Sequence, residues 1–246
     1  MDLWPDGVDR VVLDSVDSTM SEAARCAASI MRPTWIMAHT QTAGRGRRGR
    51  VWITPEGNLN ATLIFKPTAS AAQAAQRSFV AANALYQALA LYVPSEKLAL
   101  KWPNDVLLKG GKIAGILLES SGQGVSVDWL SIGFGVNLQH IPEAVQDAAF
   151  APTSLKAAGG LEVAPFDFLA ALAQAYADQE GIYLRQGFGQ TREIWLKNAA
   201  RLGEVITART ARDEISGIFD TIDADGNLVL ITGKGRQAIP AADVYF

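Results

Sequence analysis

The sequence predicts an α/β (α+β) fold, in which helices accompany a mixed sheet, followed by a small β-rich module. In residues 1–198, short runs of branched and aromatic residues alternate with longer stretches of helical periodicity. In residues 199–246 the chain contains only short strand-like runs and turn signals. We therefore expect two domains, 1–198 and 199–246.

Composition and charge exclude several classes of protein. Of the 246 residues, 49% are hydrophobic, and 22 Lys and Arg against 25 Asp and Glu give a net charge of −3. This balance is typical of a globular protein and excludes a uniformly basic nucleic-acid coat. The single cysteine, Cys26, excludes an intrachain disulfide and indicates a reducing compartment.

The sequence gives no sign of export or of membrane insertion. The N-terminal residues are acidic and lack the apolar stretch of a signal peptide. The most apolar window, 71–93, contains Gln, Arg and Asn residues and is too polar to span a bilayer. We expect a cytoplasmic protein with no membrane partner.

The N-terminal segment is predicted to form a strand and a helix. Val11 to Leu13 is typical of a short buried strand. Thr19 and Glu22 fit a capping box. A helix with Thr19 as its N-cap is therefore expected to continue to about Ile30.

The middle of the chain is predicted to be a sheet interrupted by one long helix. Helical spacing of apolar residues predicts a core-facing helix over 71–92. Gly110-Gly111 is a hairpin turn signal between two strands. The strand candidates are 35–40, 60–65, 98–102, 106–108 and 112–119.

The predicted strand at 129–138 has two different faces. The apolar face, which is expected to pack on a core, carries Leu130, Ile132, Phe134, Val136 and Leu138. The opposite face carries Ser131, Gly133, Gly135 and Asn137. Because glycine has no side chain, this second face leaves room for another backbone or a ligand.

Beyond residue 163 the pattern changes from helix to strands. Asp167 is the predicted cap of a helix from 168 to about 183. Strand candidates follow at 203–206, 215–222 and 227–231, with Asp225-Gly226 as a hairpin turn. The segment 146–163 carries no recognisable motif.

The strongest local anomaly is a heptapeptide, Gly44 to Arg50, with four arginines and three glycines. Repelling charges and flexible glycines fold poorly alone, so the segment is expected to gain order from a bound anion. The guanidinium group suits phosphate and carboxylate, and glycine exposes backbone N–H groups to the same ligand. A solvated basic loop or an RNA-contacting segment is the alternative at this point.

Two further motifs place polar groups at strand ends. In Lys101 to Asp105 a proline turn presents an amide and a carboxylate, which suit Mg²⁺ together with substrate phosphates. An ordinary Asn-Asp turn is the alternative. Lys112 begins an otherwise apolar strand, where a lysine can also serve only to protect a sheet edge.

Together with the glycine face, these segments in this order resemble the biotin protein ligases. The Arg/Gly heptapeptide is similar to the family's adenylate-binding loop over all seven residues, and Lys101-Trp102-Pro103-Asn104-Asp105 matches equally well. The motifs extend from about Val11 to Leu138. The resemblance implies a mixed-sheet catalytic domain related to class II aminoacyl-tRNA synthetases, and a C-terminal SH3-like β-barrel.

The resemblance also implies a two-step ligase that uses ATP and Mg²⁺. The carboxylate of biotin attacks the α-phosphate of ATP and yields biotinyl-5′-AMP as a bound intermediate. A specific lysine of a biotin carboxyl carrier protein, such as that of acetyl-CoA carboxylase, then receives the biotinyl group. The oligomeric state, monomer or homodimer, is left open.

The resemblance assigns a role to each matching residue. The catalytic residues are Lys112, as the main cation, and Arg47. The residues expected at biotin are Ser18, Thr19, Gln41, Gly44, Arg45, Lys112, Gly115, Gly133 and Gly135. The residues expected at the nucleotide are Arg47, Arg48, Arg50, Trp52, Asn104, Asp105 and Asn137. Within this second set, Trp52 is expected against the adenine and Asp105 also as the Mg²⁺ ligand.

Two features of the chain differ from parts of the family. Many members carry Asn after the Ser-Thr pair, where this chain has Met20, so one polar contact to biotin is in doubt. Members that repress transcription carry an N-terminal winged helix-turn-helix. Here the catalytic pattern begins close to Met1, so no sequence-specific DNA binding is expected.

Three other functions fit parts of the pattern. The intact Arg/Gly loop argues against a lipoate or octanoyl ligase of the same superfamily. An RNA-binding module would present a wide basic face, whereas the basic cluster here is one heptapeptide in an acidic chain. A non-catalytic biotin sensor would lack Lys112 or Asp105, and both are present.

Overall fold

The computed structural model of the chain describes residues 4–123, 126–142, 150–210 and 212–246. It contains a seven-stranded mixed sheet and, near the C-terminus, a five-stranded antiparallel sheet. The predicted fold class is therefore confirmed. The domain boundary at 198/199 stays a prediction.

In the described residues, three α-helices and seven strands form the larger part of the molecule. The helices are α1 (Thr19–Cys26), α2 (Ala71–Leu89) and α3 (Pro165–Lys197). The strands of the first sheet are β1 (Asp9–Val16), β2 (Thr34–Gln41), β3 (Leu59–Phe65), β4 (Leu98–Lys101), β5 (Asp105–Leu108), β6 (Gly111–Ser121) and β7 (Trp129–Val136). Their order is β1-β2-β3-β7-β6-β5-β4, and only β1 and β2 pair in parallel.

The second sheet is the β-rich module predicted at the C-terminus. Its strands are β8 (Val205–Arg209), β9 (Glu214–Ile222), β10 (Leu228–Thr232), β11 (Gly235–Ile239) and β12 (Asp243–Tyr245). The sequence does not predict β11 and β12, because both are short and mostly polar. The turn at Asp225-Gly226 is confirmed, with Gly226 at φ 87°.

The two faces of the first sheet are covered by different helices. Trp35 and Met37 of β2 belong to the large core that includes α2 and α3. Ile36 and Ile64 instead pack with Ala23 of α1 in a smaller cluster. Because successive strand residues point to opposite faces, α1 lies on the face opposite α2 and α3. The glycine face of β7 is on the α1 side.

The first predicted strand is present but is not buried. β1 is an edge strand with one neighbour, and Val11 and Val12 are 42% and 44% exposed. The prediction of a buried strand is wrong, because apolar side chains alone do not show whether a strand is central or at the edge.

The cap of α1 is Ser18 and not Thr19. The Ser18 Oγ accepts a hydrogen bond from the backbone N–H of Met20 at 3.2 Å. Thr19 is already helical, and its N–H and hydroxyl both donate to Gln41. The helix ends at Cys26, earlier than predicted.

The turn between β5 and β6 lies one residue before the predicted Gly110-Gly111 pair. Lys109 and Gly110 have φ angles of 50° and 80°, and Gly111 pairs with Leu108 as the first residue of β6. Two consecutive positive φ angles are typical of the type I′ hairpin turn. The hairpin is confirmed and its register is corrected.

The helix predicted after Asp167 is longer at both ends. α3 begins at Pro165, so Asp167 lies inside its first turn, where a negative charge is favourable, and is not the cap. The helix continues to Lys197 and is interrupted at Gly187, where φ is 74°. Among the described residues, no helix is both long and apolar enough to cross a membrane.

Candidate active site

A cavity of about 610 Å³ lies above the glycine face of β7 and brings most of the predicted site residues together. Its volume is within the range of small-molecule sites. The predicted residues that line it are Ser18, Thr19, Gln41, Arg45, Arg47, Arg50, Trp52, Asn104, Asp105, Lys112, Gly115, Gly133, Gly135 and Asn137. Gly44 and Arg48 are not among its lining residues.

Three glycines form the floor of the cavity, and side chains pack directly against them. A Cβ at Gly135 would collide with the indole of Trp52, and a Cβ at Gly133 would lie 2.8 Å from the Met20 Sδ. A Cβ at Gly115 would also touch the Trp52 ring. Trp52 therefore lies on the floor predicted for biotin, and Met20 packs on the same floor.

One end of the cavity is a neutral polar network. The backbone N–H and the hydroxyl of Thr19 donate to Gln41 Oε1 at 2.8 and 3.1 Å, and Gln41 Nε2 donates to Asn60 Oδ1 at 2.9 Å. Thr62 donates to the Thr19 hydroxyl at 2.8 Å. The buried Asn60 Nδ2 has no partner among the described residues, so it can donate to a ligand.

Sequence reasoning missed Asn60. The available signal is its place in β3, where it shares a face with Thr62 inside an otherwise apolar strand. A polar side chain on a buried strand face has to find a partner.

The opposite end of the cavity carries an ion cluster around Asp105. Lys112 Nζ lies 2.6 Å from Asp105 Oδ1, and Lys101 Nζ lies 3.4 Å from Oδ2. Burial acts to raise the pKa of Asp105, but the two ammonium groups outweigh it and hold this pKa below its usual value. Burial lowers the pKa of Lys101. Lys101 thus adds a second cation beside Lys112.

Strands and a neighbouring segment fix the position of Lys112. Its backbone N–H donates to Ala151 O, and its carbonyl accepts from Thr153 N, both at 2.9 Å. Thr153 O also accepts from Asn137 Nδ2 at 3.0 Å. Of the segment 146–163, which carries no motif, residues 146–149 lie outside the described residues, and 151–153 support the site.

The four arginines of the loop fall into three groups by their partners. Arg45 makes two hydrogen bonds to Glu119 of β6, at 3.1 and 2.9 Å, and one to Ser21. Arg48 and Arg50 both contact Asp243 of β12, as described below. Arg47 donates to a neutral group, Asn104 Oδ1, at 3.2 Å.

Arg47 is therefore the loop cation that is least neutralised. Within the described part of the chain, no carboxylate forms an ion pair with its guanidinium. Burial lowers the pKa of Arg47, which is the effect expected for a charge held away from water. This arrangement favours an anionic ligand at Arg47.

The loop backbone closes on itself. Gly46 N donates to Arg50 O at 2.7 Å, and Trp52 N donates to Gly44 O at 3.0 Å. A Cβ at Gly44 would lie 2.5 Å from the Trp52 carbonyl oxygen, so the closure needs glycine at this position. Gly44 thus determines the shape of the loop, although it does not line the cavity.

The described residues do not form a complete magnesium site of their own. Among the described residues, no group of three or more His, Cys, Asp or Glu side chains is placed to hold a metal ion. Asp105 is one carboxylate, and lysine ammonium groups face both of its oxygens. A magnesium ion would have to arrive with ligands of its own, such as those of a nucleotide triphosphate.

Comparisons with known proteins match both parts of the chain. The family model described as the biotin/lipoate A/B protein ligase family matches residues 12–137, and the biotin protein ligase C-terminal domain matches residues 202–246. A biotin–[acetyl-CoA-carboxylase] ligase of Paracoccus denitrificans is 50% identical, over 96% of this chain and 99% of that protein.

Two further similarities support this match. The bifunctional ligase/repressor BirA of Bacillus subtilis is 32% identical, over 95% of this chain and 71% of that protein. The structure of a biotin protein ligase from Aquifex aeolicus in complex with biotin and ATP has a TM-score of 0.78 at 23% identity, over 96% of this chain and 98% of that one. At 23% identity, this last similarity shows that the two chains share a fold.

Proposed function

This chain belongs to the biotin/lipoate A/B protein ligase family and carries a biotin protein ligase C-terminal domain, and we propose that it activates biotin with ATP and transfers it to a lysine. The acceptor we propose is a biotin carboxyl carrier protein of acetyl-CoA carboxylase or a related enzyme. The observation that carries this proposal is a single cavity with a neutral polar end and a cationic end.

The neutral end suits the ureido ring of biotin. That ring offers a carbonyl acceptor and two N–H donors, which match the unpaired Asn60 amide N–H and the hydroxyl and carbonyl groups around Ser18, Thr19 and Gln41. The dithiolane ring of lipoate has no such groups and would leave the buried amides unpaired. The polar network therefore favours biotin over lipoate.

The cationic end suits the first chemical step. An oxygen of the biotin carboxylate attacks the α-phosphorus of ATP, the new P–O bond forms, and pyrophosphate leaves with the electrons of the broken bond. Both reactants are anionic, so Lys112, Lys101 and Arg47 stabilise their approach and the charge of the transition state. Magnesium, bound to ATP as part of the substrate, supplies further positive charge.

The second step uses the mixed anhydride as an acyl donor. The neutral ε-amine of the acceptor lysine attacks the acyl carbon, AMP leaves with the electrons of the broken C–O bond, and the nitrogen loses one proton to solvent as the amide forms. Biotinyl-5′-AMP hydrolyses in water, so a loop closed over it protects the intermediate. The Arg/Gly loop is the segment we assign to that role.

Exchange of labelled pyrophosphate into ATP tests the first step directly. We expect exchange that requires Mg²⁺ and biotin and that lipoate does not support. A folded protein that shows no biotin-dependent exchange, or that exchanges equally well with lipoate, would contradict the proposal. With an added carrier domain, mass spectrometry should show one biotinyl group on its lysine.

A cytoplasmic location and the absence of sequence-specific DNA binding stay predictions. Neither bears on the exchange experiment, which needs only the purified chain.

A further inference from the structure

The last strand of the chain contributes side chains to the cavity. In β12, Asp243 and Tyr245 line the cavity, whereas Val244 between them is buried at 3% exposure. This is the alternation expected of a strand whose two faces meet different surroundings. The C-terminal module therefore forms part of the wall beside the Arg/Gly loop.

Asp243 joins the module to that loop through two arginines. Arg48 Nη1 and Arg50 Nη2 lie 2.9 and 2.5 Å from the same oxygen, Asp243 Oδ2. The Asp243 side chain is only 14% exposed, while the two arginines are about half exposed. Burial acts to raise the pKa of Asp243, and the arginines outweigh it and lower this pKa.

The second half of the Arg/Gly loop, which includes Arg48 and Arg50, needs a stabilising contact. Arg48 has φ 56°, a left-handed conformation that costs energy for a residue with a side chain. The adjacent arginines repel one another. Glu119 holds Arg45 at the start of the loop, and Asp243 neutralises and holds the end of the loop.

We infer that Asp243 is a positioning residue that fastens the Arg/Gly loop to the C-terminal module, closes it over the cavity, and so slows the loss of biotinyl-5′-AMP. The reaction part of this inference rests on the proposed function. Arg50, which lines the cavity, keeps further N–H donors for the phosphate of the intermediate, since a guanidinium has five. Arg47 is left facing the ligand.

The rate of trypsin cleavage tests the contact between Asp243 and the loop in the ligand-free protein, where no biotin reaction takes place. Trypsin can cleave the loop after each of its four arginines. We expect Asp243→Asn to accelerate cleavage within 44–52 by roughly tenfold, since a partly buried charged contact no longer holds the loop closed. Asp243→Glu keeps the carboxylate and should restore much of the protection.

The matched control is Asp220→Asn. It removes another carboxylate–arginine pair of the same module, Asp220 with Arg236 at 2.5 Å, and neither residue lines the cavity. This control should be cleaved as slowly as the unaltered chain. Equal cleavage of Asp243→Asn and the unaltered chain, or equal acceleration by the control, would overturn the inference. An unchanged unfolding temperature shows that each variant is folded.

Retention of the intermediate tests the reaction part. We expect bound biotinyl-5′-AMP to leave Asp243→Asn about 5- to 10-fold faster, with rescue by Asp243→Glu. Unchanged retention in Asp243→Asn would refute this part. If the unaltered chain forms no intermediate, the proposed function fails, and proteolysis alone decides whether Asp243 anchors the loop.

Discussion

At the residue scale, the position of Lys112 in the cavity fits the role of catalytic cation that its motif predicts. Its ammonium group is held by Asp105 at 2.6 Å and lies 5.6 Å from the centre of the Trp52 ring, while 30% of the side chain is exposed. The ion pair fixes the direction of the charge, and the exposed part can contact a ligand. A preorganised cation of this kind stabilises a transition state without having to reorganise.

Replacing Lys112 should therefore abolish most of the activity without unfolding the protein. We expect Lys112→Ala to slow adenylate formation by at least ~100-fold, the scale of losing one preorganised electrostatic contact. Single-turnover formation of biotinyl-5′-AMP measures this rate. Lys156→Ala is the control, because Lys156 pairs with Glu162 at the surface and does not line the cavity. A Lys112→Ala rate near that of the control would refute the role.

Residues that carry a motif could be predicted, and residues that complete the site from elsewhere could not. The arginines, Asp105 and Lys112 stand in unusual local sequences. Asn60 and Asp243 stand in ordinary ones, and only the folded chain brings them to the cavity. Their roles depend on pairings between segments far apart in sequence, which local patterns do not encode.

At the scale of elements, the glycine face of β7 shows how alternation shapes a site. Its apolar face is buried in the core, as the sequence predicts, and its other face supports Met20 and Trp52. The two-residue period predicts which residues share a face. It does not predict what covers that face, because α1 and the Arg/Gly loop arrive there through tertiary packing.

Adding one methyl group to this floor should displace Trp52. In Gly135→Ala the new Cβ would overlap the indole, and overpacking of this kind costs about 1–3 kcal/mol. Because Trp52 forms a wall of the cavity, we expect biotin to bind about tenfold more weakly or worse. Titration calorimetry measures the affinity.

The control for this substitution is Gly189→Ala. Gly189 lies in α3, and a Cβ there would have no heavy atom within 4 Å. This variant should bind biotin as the unaltered chain does. Unchanged affinity in Gly135→Ala would mean that Trp52 can move aside freely and does not shape the biotin site.

At the scale of the whole molecule, a buried ion pair joins the two long helices behind the sheet. Arg77 of α2 donates from Nε and Nη2 to Glu180 Oε1 of α3 at 3.0 and 2.8 Å. Its guanidinium also lies over the rings of Phe65 and Tyr183. The Arg77 side chain is 5% exposed and that of Glu180 is 16% exposed.

The sequence predicted both helices but not this pair. The helical periodicity of 71–92 places Phe79 and Leu89 on a core-facing side, and both are buried. The same periodicity cannot show that Arg77 is buried too, because its partner is 103 residues away. Which charges are removed from water is decided by the packing of α2 on α3.

Breaking this pair from one side should destabilise the whole protein. In Arg77→Leu the Glu180 carboxylate would be left buried without its partner, at a cost of about 3–5 kcal/mol in the free energy of unfolding. Replacing both residues, as in Arg77→Leu with Glu180→Leu, should recover much of that loss, since no uncompensated charge is left. Urea unfolding of the three proteins measures the difference.

The exposed pair Lys156–Glu162 supplies the comparison for burial. Its partners lie 2.8 Å apart with side chains 57% and 70% exposed, so Lys156→Ala should change the free energy of unfolding by less than about 1 kcal/mol. If Arg77→Leu costs no more than this surface change, water reaches Glu180 and compensates its charge. If the double variant is as unstable as Arg77→Leu, the loss comes from packing against Phe65 and Tyr183 rather than from an unpaired carboxylate.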